Sequence, residues 1–165
     1  MSVFLDTSVL LAGLIDFGPQ SAPAQSIMHA VAEQRIQHPS TAWHCCLEFF
    51  SVATRLPPEF RVNPSDAALL LNQEILSRFA VHDLPPAGRL GMLQAAARDG
   101  VAGGRISDTH IAETARAAGA TVIVTDNRRH FLSALRYGIR VETPAEFITA
   151  VKGKPARTSP VPNPG

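Results

Sequence analysis

Two carboxylates end apolar, β-forming runs: Asp6 closes VFLD and Asp126 closes TVIVTD. Either one alone reads as a turn or cap residue. Two such strands are harder to explain that way, because parallel neighbours would deliver both acids to one edge of a sheet. A third acid, Asp108, lies in RISDTHIAETARA at offsets of three, four and seven from Ile111, Ala112 and Ala115, on the apolar stripe of a helix. Glu113 and Arg116 fall on the other side. The helix dipole accounts for an aspartate in a first turn but not for its face. Carboxylates gathered in one place raise one another's pKa, and a hard divalent cation with oxygen ligands relieves the repulsion. Zinc is a poor fit: no histidine pair has its spacing, and the two cysteines, Cys45 and Cys46, are adjacent with no spaced partner.

Glu48 is a fourth acid whose direction the pattern leaves open. Its helix is apolar nearly all round, through Trp43, Cys45, Cys46, Leu47, Phe49, Phe50 and Val52. A thin polar line of His44, Glu48, Ser51 and Arg55 either faces water or looks into a cleft. Basic residues stand near the acids: Arg105 in GGRISD, behind glycines that allow close approach of a ligand, and Arg128, Arg129 and His130 just after Asp126. They read equally as a solvated surface or as contacts to phosphates.

The elements that would position these groups follow an alternating pattern. VFLD, RIQHP, AVHDL, TVIVTD and GIRVETP read as short strands. TSVLLAGLI reads as a helix with Thr7 or Ser8 near its cap, and TAWHCCLEFFSVATR as one capped by Ser40 and stopped at Pro57-Pro58. NPSDAALLLNQEILSRF has Asn63 as cap and Pro64 at the first position. APAQSIMHAVAEQ, PAGRLGMLQAAARD, ISDTHIAETARAAG (closed by Gly119) and PAEFITAV complete the set. Strands alternating with helices predict an α/β sandwich on a mostly parallel sheet. There is no internal repeat. From Lys152 the chain runs KGKPARTSPVPNPG, which reads as a proline-rich flexible tail after a domain of residues 1–151.

The bulk numbers set limits. At 165 residues one domain is expected, with enough chain for a real core. The net charge of +1 excludes strong general electrostatic attraction to nucleic acid, so an anionic substrate must be held by a local basic patch or a metal. Mean hydropathy is +0.07, and no apolar run approaches the ~20 residues of a membrane span. Asp6 interrupts the first apolar stretch and no basic segment precedes it, so no signal peptide is expected. Adjacent cysteines in an apolar helix fit a reducing, cytoplasmic setting.

With these residues in view, the chain resembles a PIN-domain ribonuclease, and more narrowly a VapC-like toxin of a type II toxin–antitoxin pair. The matching pieces are FLDTSVL, LEFFSVATR, GGRISDTHIAETA and VIVTDNRRHF, in order across residues 3 to about 150. Each hangs on one carboxylate; the ordered set is more specific. The resemblance implies a three-layer α/β/α sandwich and a metal-binding acidic quartet of Asp6, Glu48, Asp108 and Asp126. Thr7, Ser8 and Thr125 match the small hydroxyl positions beside it. It also implies a homodimer and a cognate antitoxin that covers the active groove. Asp126, followed by Asn127, is the position where relatives vary in which residue is acidic.

Such a quartet would hold Mg²⁺ or Mn²⁺, with Asp6 and Asp108 as main ligands and Glu48 and Asp126 completing the shell. The ion would acidify a water and stabilise charge on the phosphate, giving 5′-phosphate and 3′-hydroxyl ends. Arg105, Arg128, Arg129 and Arg55 are the candidates for phosphate contacts, and the substrate expected from the resemblance is a structured RNA such as a tRNA or a ribosomal loop. Rival readings lack their marks. A haloacid-dehalogenase-like phosphatase needs a second aspartate where Ser8 stands, and a receiver domain needs paired acids and a late lysine. A non-catalytic RNA-binding or interaction module on the same fold is the alternative from another class; cleavage with metal against an EDTA control separates it.

Overall fold

The computed structural model describes residues 2–153; the proline-rich tail read from Lys152 onward lies, from residue 154, outside the described residues. Five short strands form one wholly parallel sheet: β1 (Val3–Leu5), β2 (Pro39–Ala42), β3 (Ala80–His82), β4 (Val122–Val124) and β5 (Arg140–Glu142). Their order is β3-β2-β1-β4-β5. The chain moves from β1 to one side through β2 and β3, then crosses back to place β4 on β1's other flank. β1 and β4 therefore meet where the direction of winding reverses, the place at which such sheets open a crevice beyond their strand ends. Leu5 pairs with Val124, so Asp6 and Thr125 follow at the same level.

Among the described residues seven α-helices cover the sheet: α1 (Thr7–Leu14), α2 (Ala22–Ala32), α3 (Trp43–Ala53), α4 (Pro64–Leu70), α5 (Arg89–Arg98), α6 (Ile106–Ala117) and α7 (Pro144–Lys152). α1, α2 and α7 pack on one another; α5, α6 and a 3₁₀ segment, Arg128–Tyr137, do the same, giving the two outer layers. Asn63 caps α4 as predicted, its side chain accepting from the Asp66 N–H at 2.9 Å. α4 runs on as a π-helical stretch, Leu71–Leu76. Gly119 ends α6 at a φ of +74°, which glycine adopts without strain. Phe4, Leu5, Val9, Phe49, Ile111, Ile123 and Phe131 are wholly or almost wholly buried and fill the space between sheet and helices.

Three expectations shift. The second strand is Pro39–Ala42 rather than RIQHP, and Ser40 sits inside it instead of capping α3. Polar residues are tolerated there because each buried hydroxyl finds a carbonyl on β1: Ser40 Oγ donates to Val3 O at 2.9 Å and Thr41 Oγ1 to Leu5 O at 2.8 Å. The N-cap of α1 is Asp6, not Thr7 or Ser8, and its side chain makes no cap bond because it is turned to β4. Among the described residues no helix is long and apolar enough to cross a membrane.

Candidate active site

Asp6 leaves β1 in extended geometry, and its carbonyl accepts from the N–H groups of Val9 and Leu10 to start α1. Its N–H continues the ladder to Val124 O at 3.1 Å. The backbone is thus held on both sides, and the carboxylate projects beyond the sheet edge while remaining only 3% exposed. Oδ2 accepts from Thr125 Oγ1 at 2.8 Å and from Ser8 Oγ at 3.0 Å. Ser8 Oγ in turn accepts from the Asp126 N–H at 3.1 Å, and Thr125 Oγ1 from the Asn127 N–H at 3.0 Å. Two hydroxyls therefore join the start of α1 to the end of β4. Burial lifts the Asp6 pKa above the ordinary carboxylate value; the two hydroxyl bonds oppose the rise and the charge of Asp108 adds to it. Thr7 Oγ1 is buried with no hydrogen-bond partner.

Glu48 sits one turn after His44 on α3 and is half-buried. The buried face of α3 carries Cys45, Cys46, Phe49 and Ala53, whereas Trp43, Leu47 and Phe50 are exposed. The helix is less enclosed than its composition implied, yet Glu48 lies within electrostatic reach of the other acids. Its pKa is pushed up to about 7 by burial, then by the charges of Asp6 and Asp108. His44 Nε2 lies 2.8 Å from Glu48 Oε1 but out of hydrogen-bonding alignment, and that buried oxygen has no hydrogen-bond partner. His44 Nε2 is instead within hydrogen-bonding distance of Ser107 Oγ, at 3.2 Å.

Asp108 occupies the first turn of α6, whose buried side carries Ile111, Ala112, Thr114 and Ala115. His130 Nδ1, from the 3₁₀ segment, stands 2.9 Å from Asp108 Oδ2. Burial raises the Asp108 pKa, while His130 and then Arg105 pull it back. Asp126 stands at the exposed rim, its carboxyl raised by what burial it has. Asp6, Glu48 and Asp108 form a charge-coupled trio; Asp126 is linked to it through its backbone and Ser8.

The basic residues divide. Arg105 and Arg129 line a cleft of about 210 Å³ together with Asp108, His130 and Arg136. Arg128 is turned away: Nε donates to Val141 O at 3.2 Å and the guanidinium pairs with Glu146. Arg55 is exposed after the end of α3. His44 and His130 were not singled out for the acids they touch. Only the spacing of His44, four before Glu48, could have signalled its pairing. His130 reaches Asp108 across a sequence distance that no local pattern encodes.

A carboxylate trio that includes one buried oxygen without a hydrogen bond is a donor set suited to a hard divalent ion. Among the described residues no three His, Cys, Asp or Glu side chains already stand close enough together to hold one. His130 holds Asp108 in the present arrangement, and His44 lies against Glu48 without a hydrogen bond. The cysteines take no part: Cys45 and Cys46 are free thiols, pushed up to about 12 and about 11 by burial.

A parallel α/β/α fold with coupled carboxylates at its switch point is the architecture of an edge-site protein. The chain belongs to the PIN domain family, whose model matches residues 2–129, a span containing all four acids. No curated protein matches it by sequence. Solved structures share the fold at low identity. PAE2754 from Pyrobaculum aerophilum is 16% identical with a TM-score of 0.63, covering 93% of this chain and 97% of that one. A DNA-bound VapBC from Salmonella typhimurium is 21% identical with a TM-score of 0.62, covering 87% and 98%. VapC20 from Mycobacterium tuberculosis, a sarcin–ricin-loop-cleaving toxin, is 14% identical with a TM-score of 0.58, covering 74% and 87%.

Proposed function

We propose that this chain is a divalent-metal-dependent endoribonuclease, the toxin of a toxin–antitoxin pair, acting on a structured RNA. The observation that carries this reading is the gathering of Asp6, Glu48 and Asp108 at the sheet edge: burial raises each pKa, and the charge of Asp108 adds to the rise of Asp6 and, with Asp6, to that of Glu48. That arrangement is costly without a cation and useful with one. Asp6, Glu48 and Asp108 would hold Mg²⁺ or Mn²⁺, with Asp126 at the margin. When bound, such an ion supplies acidified water and neutralises charge on the scissile phosphate.

The chain's own groups have separate tasks. Thr125 and Ser8 fix the Asp6 carboxylate so that it need not reorganise. His130 holds Asp108 until a ligand takes its place, while His44 stands 2.8 Å from Glu48 without a hydrogen bond to it. Arg105 and Arg129 offer cationic donors to the flanking phosphates from the cleft beside Asp108. A cognate antitoxin, a homodimeric state and a cytoplasmic location belong to the same proposal, supported by the kinship with VapBC complexes. A second reading, a non-catalytic RNA-binding module, draws on the His130 contact of Asp108, which stabilises that acid without metal. Incubating RNA with the protein and Mg²⁺ or Mn²⁺, against an EDTA control, separates the two. Cation-dependent fragments support the nuclease; binding without fragments supports the module.

A further inference from the structure

A second cleft opens beside the first, and its lining is of another kind. It holds about 540 Å³, within the range of small-ligand sites, and is bounded by His44, His110, Asp83, Arg89 and Ser107 with apolar walls that include Leu84 and Met92. The Arg105 cleft and this one share the first turns of α6: Asp108 faces one, and its neighbour Ser107 faces the other. His44 touches both Glu48 and Ser107, so the second cleft begins at the acidic trio itself. Two imidazoles stand together in its wall, His44 and His110, with ring centroids 4.8 Å apart and planes inclined by 59°.

The geometry points to a nucleobase subsite: this cleft receives one unpaired base of the RNA strand whose phosphate lies at the acidic trio. The inference rests on the ribonuclease reading for its choice of ligand. Taken together, the lining suits a base better than a phosphate. Its charged groups, Asp83 and Arg89, balance, whereas the neighbouring cleft sets Arg105, Arg129 and Arg136 against Asp99 and Asp108 and keeps an excess of cations. Imidazole faces stack on bases, and proteins that select RNA do so mostly by stacking splayed bases and reading their edges. A carboxylate accepts from a base's amino or imino groups and a guanidinium donates to its ring nitrogens and carbonyls. Leu84 and Met92 supply the apolar surface that strengthens both. Asp83 and Arg89 are exposed, so their side chains are free to close on a ligand. The pairing of subsites, phosphates in the Arg105 cleft and a base in the His110 cleft, would set which nucleotide borders the cut.

The test uses the full chain in EDTA, so that no cleavage occurs, and a short fluorescein-labelled single-stranded RNA. The control is the same sugar–phosphate chain carrying abasic sites. By fluorescence anisotropy the protein should bind the intact RNA about tenfold tighter than the abasic strand, the discrimination that one stacked base provides. His110→Ala and Arg89→Ala should bring that ratio below about twofold while leaving affinity for the abasic strand unchanged, and His110→Phe should restore it. Equal binding of both strands by the parent protein, or an unchanged ratio in His110→Ala and Arg89→Ala, would overturn the subsite. The Mg²⁺ and Mn²⁺ cleavage assay run alongside judges the nuclease reading separately. Cleavage with no base discrimination removes the subsite alone, and discrimination without cleavage removes the nuclease alone.

Discussion

Thr125 Oγ1 donates to Asp6 Oδ2 across 2.8 Å, joining residues 119 positions apart in the chain. The bond lies one step beyond the last paired residues of β1 and β4, beside the Asp6 N–H bond to Val124 O that ends their ladder. It fixes a buried carboxylate at the winding reversal of the sheet. It also lowers the pKa of an acid that burial raises.

Thr125→Val keeps the shape and removes the donor. A buried acceptor that loses a partner costs about 1–3 kcal/mol. Urea unfolding at neutral pH should show a loss in that range, and Thr125→Ser should recover most of it. The loss should shrink at a pH where Asp6 is protonated, because the charge-assisted part of the bond is then absent in both proteins. An undiminished stability for Thr125→Val would mean that Ser8 alone satisfies Asp6.

Much of the placement of these acids could be read from the chain, for reasons that differ by residue. Asp6 and Asp126 were visible because a charge after an apolar β-run marks a strand end, and a parallel sheet puts such ends together. Asp108 was visible because it breaks the apolar face of α6. Glu48 was not resolved by pattern: α3 exposes Trp43, Leu47 and Phe50, so the boundary between its inner and outer faces does not follow polarity. The start of β2 was missed because Ser40 and Thr41 are polar in a buried strand, satisfied by carbonyls of β1 that no local pattern reveals. Arg128 and Arg129 are adjacent and similar in sequence, yet Glu146 and the Val141 carbonyl draw only Arg128 away.

Glu48 makes the metal-free protein's stability depend on pH in a defined direction. Its folded pKa is raised from 4.5 to about 7, so the protonated form is favoured in the fold. The stabilisation is fully present below pH 4.5 and is lost as pH rises through 7. Glu48→Gln should therefore match the parent in acid and exceed it at pH above 7 in EDTA, by about 1 kcal/mol after allowance for its partial exposure. His44, whose pKa burial lowers, works in the opposite sense on the acid side, and the difference between the two proteins isolates Glu48. Denaturant midpoints across pH check this; parallel curves for parent and Glu48→Gln would contradict it.

Arg129 and Arg128 should separate under mutation although they are neighbours. Arg129 lines the cleft beside Asp108, so Arg129→Ala should weaken RNA binding on every sequence and reduce the salt dependence of log K by about 0.7, one single-stranded phosphate contact. Arg128→Ala removes an ion pair with Glu146 that is half-exposed, worth about 0–1 kcal/mol of stability, and should leave the salt slope in place. Titrations in EDTA at several salt concentrations read both. Equal slopes for parent and Arg129→Ala would remove it from the phosphate path.

Asp108→Asn tests the acidic trio with two readouts that need not move together. Asparagine keeps the size of the side chain and can still meet His130 Nδ1, so the fold should remain and circular dichroism should be unchanged. One charge is removed that adds to the rise burial causes at Glu48, so the Glu48 carboxyl should fall below about 7 while burial keeps it raised. Mn²⁺ should raise the Tm of the parent by preferential binding to the folded state and should do so little or not at all for the variant. RNA cleavage should fall by about two orders of magnitude or more, as expected for loss of a group that helps stabilise transition-state charge. A variant that keeps its cation-induced Tm shift but loses cleavage would place Asp108 at the substrate rather than at the cation. One that keeps both would remove it from the site.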